Sequence, residues 1–247
     1  MRSLYSVFAL GIALLLVGCE GDQGPAGPLL SGSLSGFVSL YDDEGDRVAN
    51  CSGVAITLDG TTSRTVTDST GRWQLDGLPT GTYTIVYTKD GYFEERVEEL
   101  QFLGGGTFHV ARVGMYRFPT FEVIGLTVTG TTGSDAITTE GTVSALIPSW
   151  RPVLVVYGLT RGVSVASGTH VFFHESYAYP GVQTFRSTIY LDGPTRSYYG
   201  LPSGTWLYVR AYPAGLGPLS RYDVTTGSYE PFHYGPTASP LDSVLIP

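Results

Sequence analysis

The chain has 247 residues, enough for one or two domains with their own cores. Its 17 Tyr, 11 Phe and 33 Gly against 2 Met favour pleated sheet over helix, and 15% charged residues, below the usual share of about 25%, exclude a disordered acidic tail. A formal net charge of −8 argues against nucleic acid as a partner. The charge is uneven: residues 19–114 carry fourteen acids against six bases, residues 115–247 eight against seven, and this break near 115 marks the expected domain boundary.

Residues 1–18 run from Arg2 through the apolar stretch Val7–Val17 to the small residue Gly18, the layout of a signal peptide and too short to span a bilayer. The segment Leu16-Val17-Gly18-Cys19 resembles the lipobox of bacterial lipoproteins. That resemblance implies that the Cys19 thiol takes a diacylglycerol and becomes the first residue of a membrane-anchored chain. Acyl chains contribute about 0.8 kcal/mol per buried methylene, so more than one gives stable anchoring without a transmembrane helix. Glu20, where an inner-membrane retention signal would have Asp, implies the outer membrane, on its periplasmic or its surface-exposed side. Residues 19–32 then form a linker. Its collagen-like run Gly21–Pro28 is too short for a triple helix and reads as a hydrated spacer, similar to the Gly-Pro tracts of Bacteroidota-type surface lipoproteins.

The first domain is expected over residues 33–114. Alternation at period two over Leu34–Tyr41 predicts a strand, the acidic run Asp42–Asp46 a turn, and Val54–Leu58 a second strand. The acidic run lacks a twelve-residue loop ending in a bidentate Glu, so it reads as a solvated turn and not a calcium site. Cys51 heads an apolar stretch and reads as a small buried hydrophobe. Next come Thr65-Val66-Thr67, the turn Asp68–Gly71, a strand from Arg72, the corner Gly77-Leu78-Pro79-Thr80-Gly81, the strand Thr82–Tyr87 and Lys89-Asp90-Gly91-Tyr92. Gly71, Gly77 and Gly81 are expected at turn positions with φ above zero. Tyr83, Ile85 and Tyr87 share the face expected inward. Glu94, Glu95, Glu98 and Glu99 read as an exposed rim. This order of strands and turns resembles the carboxypeptidase regulatory-like domain. The resemblance implies a seven-stranded transthyretin-like (prealbumin-like) β-sandwich with a supporting or adhesive role and no catalysis.

A second domain is expected over 118–247. Phe121–Thr129, Glu140–Leu146, Pro152–Gly158 and Gln183–Leu191 read as strands. The corner returns at Gly200-Leu201-Pro202-Ser203-Gly204-Thr205, followed by a strand with Leu207, Val209 and Ala211 inward and Trp206, Tyr208, Arg210 and Tyr212 on the other face. This segment resembles the fibronectin type III-like modules of Bacteroidota lipoproteins, with Leu207 where the family usually has its corner tyrosine. The fold class is therefore all-β: two tandem sandwiches, transthyretin-like and then fibronectin III/Ig-like.

Little catalytic chemistry is legible. His170 and His174 sit on a predicted strand, about 13 Å apart at four residues' spacing and too far to share a metal. There is no Gly-x-Ser-x-Gly elbow, His-Glu-x-x-His or phosphate loop. The reading is a non-enzymatic cell-envelope lipoprotein with no cofactor and no metal. Tyr177, Tyr179, Trp206, Tyr208 and Tyr212 are its candidate ligand-binding rings, because aromatics offer large contact area to a sugar ring or a protein partner in glycan capture or adhesion. The alternative is an accessory subunit of an outer-membrane transporter or secreted hydrolase.

Overall fold

The computed structural model describes residues 30–130, 135–144, 149–217, 220–223, 228–231 and 233–246, with 220–223 and 228–231 given by their backbone. Cys19, the signal peptide and the linker as far as residue 29 lie outside the described residues. Among the described residues no helix is long and apolar enough to cross a membrane.

Strand β1 (Ser31–Tyr41) organises the first sandwich. It pairs antiparallel with β4 (Arg72–Pro79) along one edge. Along the other it runs parallel first to β7 (Thr107–His109) and then to β8 (Val113–Tyr116). The register advances from Ser35↔His109 to Val38↔Val113, so β7 and β8 are two lengths of one path interrupted at residues 110–112. Counted so, the sandwich has the seven strands its turn motifs imply. The facing sheet has the order β3-β2-β5-β6, with β2 Ala55–Leu58, β3 Arg64–Val66, β5 Gly81–Thr88 and β6 Glu95–Phe102.

Between these sheets Leu34, Val38, Ile56, Trp73, Ile85 and Tyr87 close the core, and Cys51 is buried in it with its thiol towards the Val48 carbonyl at 3.4 Å. Gly71 has φ +84°, and a Cβ there would fall 2.0 Å from the Val38 carbonyl oxygen of β1. Gly77 has φ +70° with open space around it. Gly81, expected to share this conformation, does not. The corner is closed instead by Tyr83, whose hydroxyl donates to the Pro79 carbonyl at 2.7 Å.

The second sandwich is one hydrogen-bonded path, β17-β14-β11-β12-β13-β10-β9. Its strands are β9 Val123–Gly130, β10 Ala136–Val143, β11 Arg151–Gly158, β12 Phe172–Ala178, β13 Thr184–Tyr190, β14 Trp206–Pro213 and β17 Asp242–Leu245. β12 and β13 share a single pair, Ala178↔Phe185, and there the path folds into two layers. Ile137, Phe185 and Ile189 from β10 and β13 face Val153, Val155 and Tyr157 from β11 together with the expected inward set Leu207, Val209 and Ala211. Strand β11 is buried along its whole length, because Leu154 and Val156 on its outer face pack under Val163, Tyr212 and Ala214 in a second small core. That two-sided burial explains its unbroken apolar run. A hairpin, β15 (Ser220–Asp223) with β16 (Ser228–Pro231), and a short helix α1 (Gly193–Tyr199) were not expected from the sequence. Asp192 caps the helix by accepting from the Thr195 N–H at 2.9 Å.

Glu44, Asp46, Glu94, Glu98 and Glu99 are exposed as expected, and three acids of these segments, Asp43, Glu44 and Glu95, also find partners far along the chain. In the acidic turn, Asp42 accepts from the N–H groups of Glu44 and Asp46. Asp43 accepts from both the N–H and the hydroxyl of Thr120. Glu44 pairs with the buried guanidinium of Arg151 at 3.3 Å. Glu95, expected on an exposed rim, is largely covered and lies 2.8 Å from Nε2 of His233, whose enclosed ring packs on Phe93 at 4.7 Å. Acids of the first sandwich thus tie it to the second.

Candidate ligand-binding site

The five candidate rings do not form one surface. Trp206 is exposed near the end of β14 that pairs with Leu245. Tyr208, on the same face, is half-covered beneath Arg161, whose guanidinium carbon lies 6.0 Å from the ring centroid. Tyr212 departs from the expected exposed face: it is 4% exposed and packed edge-on to Tyr234 at 5.4 Å. The outer face of β14 is covered here by residues 159–169 and 233–241.

Tyr177 and Tyr179 remain exposed, and the fold adds a third ring to them. In the β11–β12 ladder Arg151 faces Ala178, so the register carries Trp150 to the position beside Tyr179. The two rings lie 4.6 Å apart with an interplanar angle of 56°, and are 53% and 45% exposed. Tyr179 is held by the turn Tyr179-Pro180-Gly181-Val182: the Val182 N–H donates to the Tyr179 carbonyl at 3.3 Å, and Gly181 has φ +73°. Pro at the second and Gly at the third position are what a type II turn requires. The turn is also where the chain passes between layers, so the rings stand at the seam of the sandwich.

Below Tyr179 a groove of about 470 Å³ runs over the outer face of β9, β10 and β13. Its floor carries hydroxyls from Thr127, Thr142 and Thr184 and the cross-strand pair Glu140–Arg186, 3.3 Å apart. Both members of that pair are well exposed, so it adds little to stability. It leaves carboxylate and guanidinium atoms available to a bound molecule. Aromatic faces above hydroxyl, carboxylate and guanidinium groups can hold a ring that is apolar on its face and polar at its edge.

The histidines once set aside as metal ligands are otherwise engaged: Nδ1 of His174 lies 2.9 Å from the Ser187 hydroxyl, and the His170 ring packs edge-on to Phe173. Among the described residues no three His, Cys, Asp or Glu side chains converge on a metal position.

Trp150 is a candidate site residue that the sequence reading missed. The available signal was register: a Trp preceding the first strand of an antiparallel pair and a Tyr following the second must meet. The polar floor was also legible, as the alternation Thr138-x-Glu140-x-Thr142 opposite Thr184-x-Arg186-x-Thr188.

No curated protein matches this chain. Among solved structures, a chain of an interface mutant of a type II cohesin–X-dockerin complex from Acetivibrio cellulolyticus is similar at 21% identity and a TM-score of 0.31, covering 35% of this chain and 58% of that one. A candidate carbohydrate binding protein from Bacteroides uniformis is similar at 13% identity and a TM-score of 0.33, covering 87% of this chain and 99% of that one. A DUF3823 family protein from Bacteroides ovatus gives 15%, 0.30, and 88% and 100% coverage. Residues 33–115 match the family model of the carboxypeptidase regulatory-like domain, the family that the strand and turn motifs of the first sandwich resemble.

Proposed function

We propose that this chain is a non-enzymatic, lipid-anchored binding module of the outer membrane, and that the Trp150–Tyr179 platform holds a glycan. One observation carries the binding half: two exposed rings are in contact, and one of them, Tyr179, lines a groove whose floor is hydroxyl, carboxylate and guanidinium. A pyranose offers an apolar face to such rings and hydroxyls to such a floor, and aromatic anchors commonly dominate binding energy. The anchoring half rests on Leu16-Val17-Gly18-Cys19 and on Glu20. Fibronectin III-like character for the second sandwich belongs to the same proposal, supported by its β9-β10-β13 layer packed on β12-β11-β14-β17.

Affinity electrophoresis through gels containing xylan, laminarin or hydroxyethylcellulose tests the binding half. The protein is expected to be retarded in at least one gel, and Trp150→Ala and Tyr179→Ala to abolish the retardation while leaving the melting midpoint in place. Equal migration in every gel overturns it. For the anchor, Cys19→Ser is expected to release the protein from the membrane fraction with a loss of mass equal to its acyl groups. Continued membrane association at unchanged mass refutes lipidation.

A further inference from the structure

A second concavity, of about 960 Å³, opens where the sandwiches meet and shares no residue with the platform or its groove. One wall comes from the first sandwich and the link that follows it. Phe93 and Phe118 stand edge-to-face there at 4.7 Å, Phe118 exposed to the opening. The other wall comes from the second sandwich: Tyr234 against Tyr212, with Arg210 beside them on the outer face of β14. The volume is that of a drug-sized ligand site, and an apolar lining with few polar groups is the usual composition of one.

Two guanidiniums line this cleft, and only one of them has carboxylates beside it. Arg96 is 2.7 Å from Glu94 and 3.6 Å from Asp59, so its charge is met. Glu95 lies 2.8 Å from Nε2 of His233. Arg210 has no carboxylate within ion-pair distance among the described residues, and its guanidinium donates to the Ser239 carbonyl at a long 3.3 Å. A half-buried guanidinium with spare donors favours an anionic group, and planar rings on both sides favour a flat apolar body.

We propose that this cleft is a binding site for a small organic anion, its carboxylate or equivalent oxyanion held by Arg210 and its planar apolar body lodged between the Phe93–Phe118 pair and Tyr234. The site is independent of the glycan reading, since no platform residue contributes to it. Calorimetric titration of the full chain with 1-naphthoate, and with its neutral isostere 1-naphthalenemethanol, tests it. Naphthoate is expected to bind 1:1 and about tenfold more tightly than the alcohol, the scale of one charge-assisted hydrogen bond. Arg210→Gln is expected to close that gap, Arg210→Lys to retain most of it, and Phe118→Ala to weaken both ligands alike. Trp150→Ala, which tests the platform, is expected to leave both affinities unchanged. Should Arg210→Gln fail to fold, the wild-type protein decides: naphthoate affinity falls with added NaCl and the alcohol's does not. Absence of saturable binding by either molecule, a gap that survives Arg210→Gln, or equal salt dependence of the two ligands overturns the proposal.

Discussion

The ion pair between Glu44 and Arg151 makes an asymmetric prediction, because its two members sit in different environments. The Arg151 side chain is 3% exposed and that of Glu44 45%. Replacing Arg151 with Met removes the buried charge, roughly keeps the volume and returns Glu44 to water. The loss is then that of a partly exposed pair, about 1 kcal/mol. Glu44→Gln does the reverse. It leaves a guanidinium enclosed, with the Ser149 hydroxyl at 3.0 Å as its remaining described partner, and an uncompensated buried charge costs about 3–5 kcal/mol. The double variant Glu44→Gln/Arg151→Met should therefore be more stable than Glu44→Gln alone. Urea unfolding followed by far-UV circular dichroism measures all three, urea being chosen because guanidinium would screen the pair. If Arg151→Met costs as much as Glu44→Gln, or the second substitution fails to restore stability, burial is not what governs this contact.

Three further outcomes follow from local geometry. Gly77→Ala places a side chain at φ +70° in open space and is expected to cost about 1–2 kcal/mol; Gly71→Ala adds a clash with a β1 carbonyl and is expected to cost about 2 kcal/mol more, and equal midpoints in urea would refute the steric account. Burial pushes the Tyr157 hydroxyl up to about 12, although it also bonds with Thr139 at 3.1 Å. The folded state then holds this proton where the unfolded chain, with its ordinary value near 10, has released it, so its contribution is complete below pH 10 and is lost between about 10 and 12. Stability should decline across that window less steeply in Tyr157→Phe, and the 295 nm tyrosinate signal of this group should appear only with unfolding. Hydrogen bonds from Thr195 hold the Asp192 carboxyl below its ordinary range, so Asp192→Ala should lower the amide-exchange protection factors of residues 195–199, and acidification through the carboxylate range should lower the same protection factors, corrected for intrinsic exchange, in the native protein.

The fold was most legible where one face of a strand is buried and the other is not. Period-two alternation set Leu207, Val209 and Ala211 inward, and all three are fully enclosed. It did the same for Ile85 and Tyr87. Helix α1 was missed because seven residues with no buried member carry no hydrophobic period. Its signal was the cap: an Asp at 192 before Gly193-Pro194, where Pro fits the first turn of a helix. Tyr212 was misjudged for a related reason. Alternation placed it correctly on the outer face, but whether an outer face meets water depends on what the chain later lays over it, and here residues 159–169 and 233–241 do so.

That distinction also separates the two concavities. The platform is built from a register: once β11 and β12 pair with Arg151 opposite Ala178, Trp150 and Tyr179 must meet, and the Tyr-Pro-Gly-Val turn was readable in advance. The cleft draws on two pairs, Phe93 with Phe118 beside the bridge Tyr92↔Arg117, and Arg210 with Tyr234 through the bridge Ala214↔Tyr234, and no ladder joins one pair to the other. They converge because acids of the first sandwich find partners on the second: Asp43 with Thr120, Glu44 with Arg151, Glu95 with His233. In the sequence those acids look like solvated charge, since nothing local distinguishes an aspartate facing water from one reaching a residue 77 positions away. A chain whose tandem sandwiches are clamped in this way encodes its larger cavity in the partners of its surface charges. Loosening the clamp at the cleft with Glu95→Gln, which touches the lining residue His233 and no platform residue, should therefore weaken naphthoate at the cleft while sparing glycan retention at the platform.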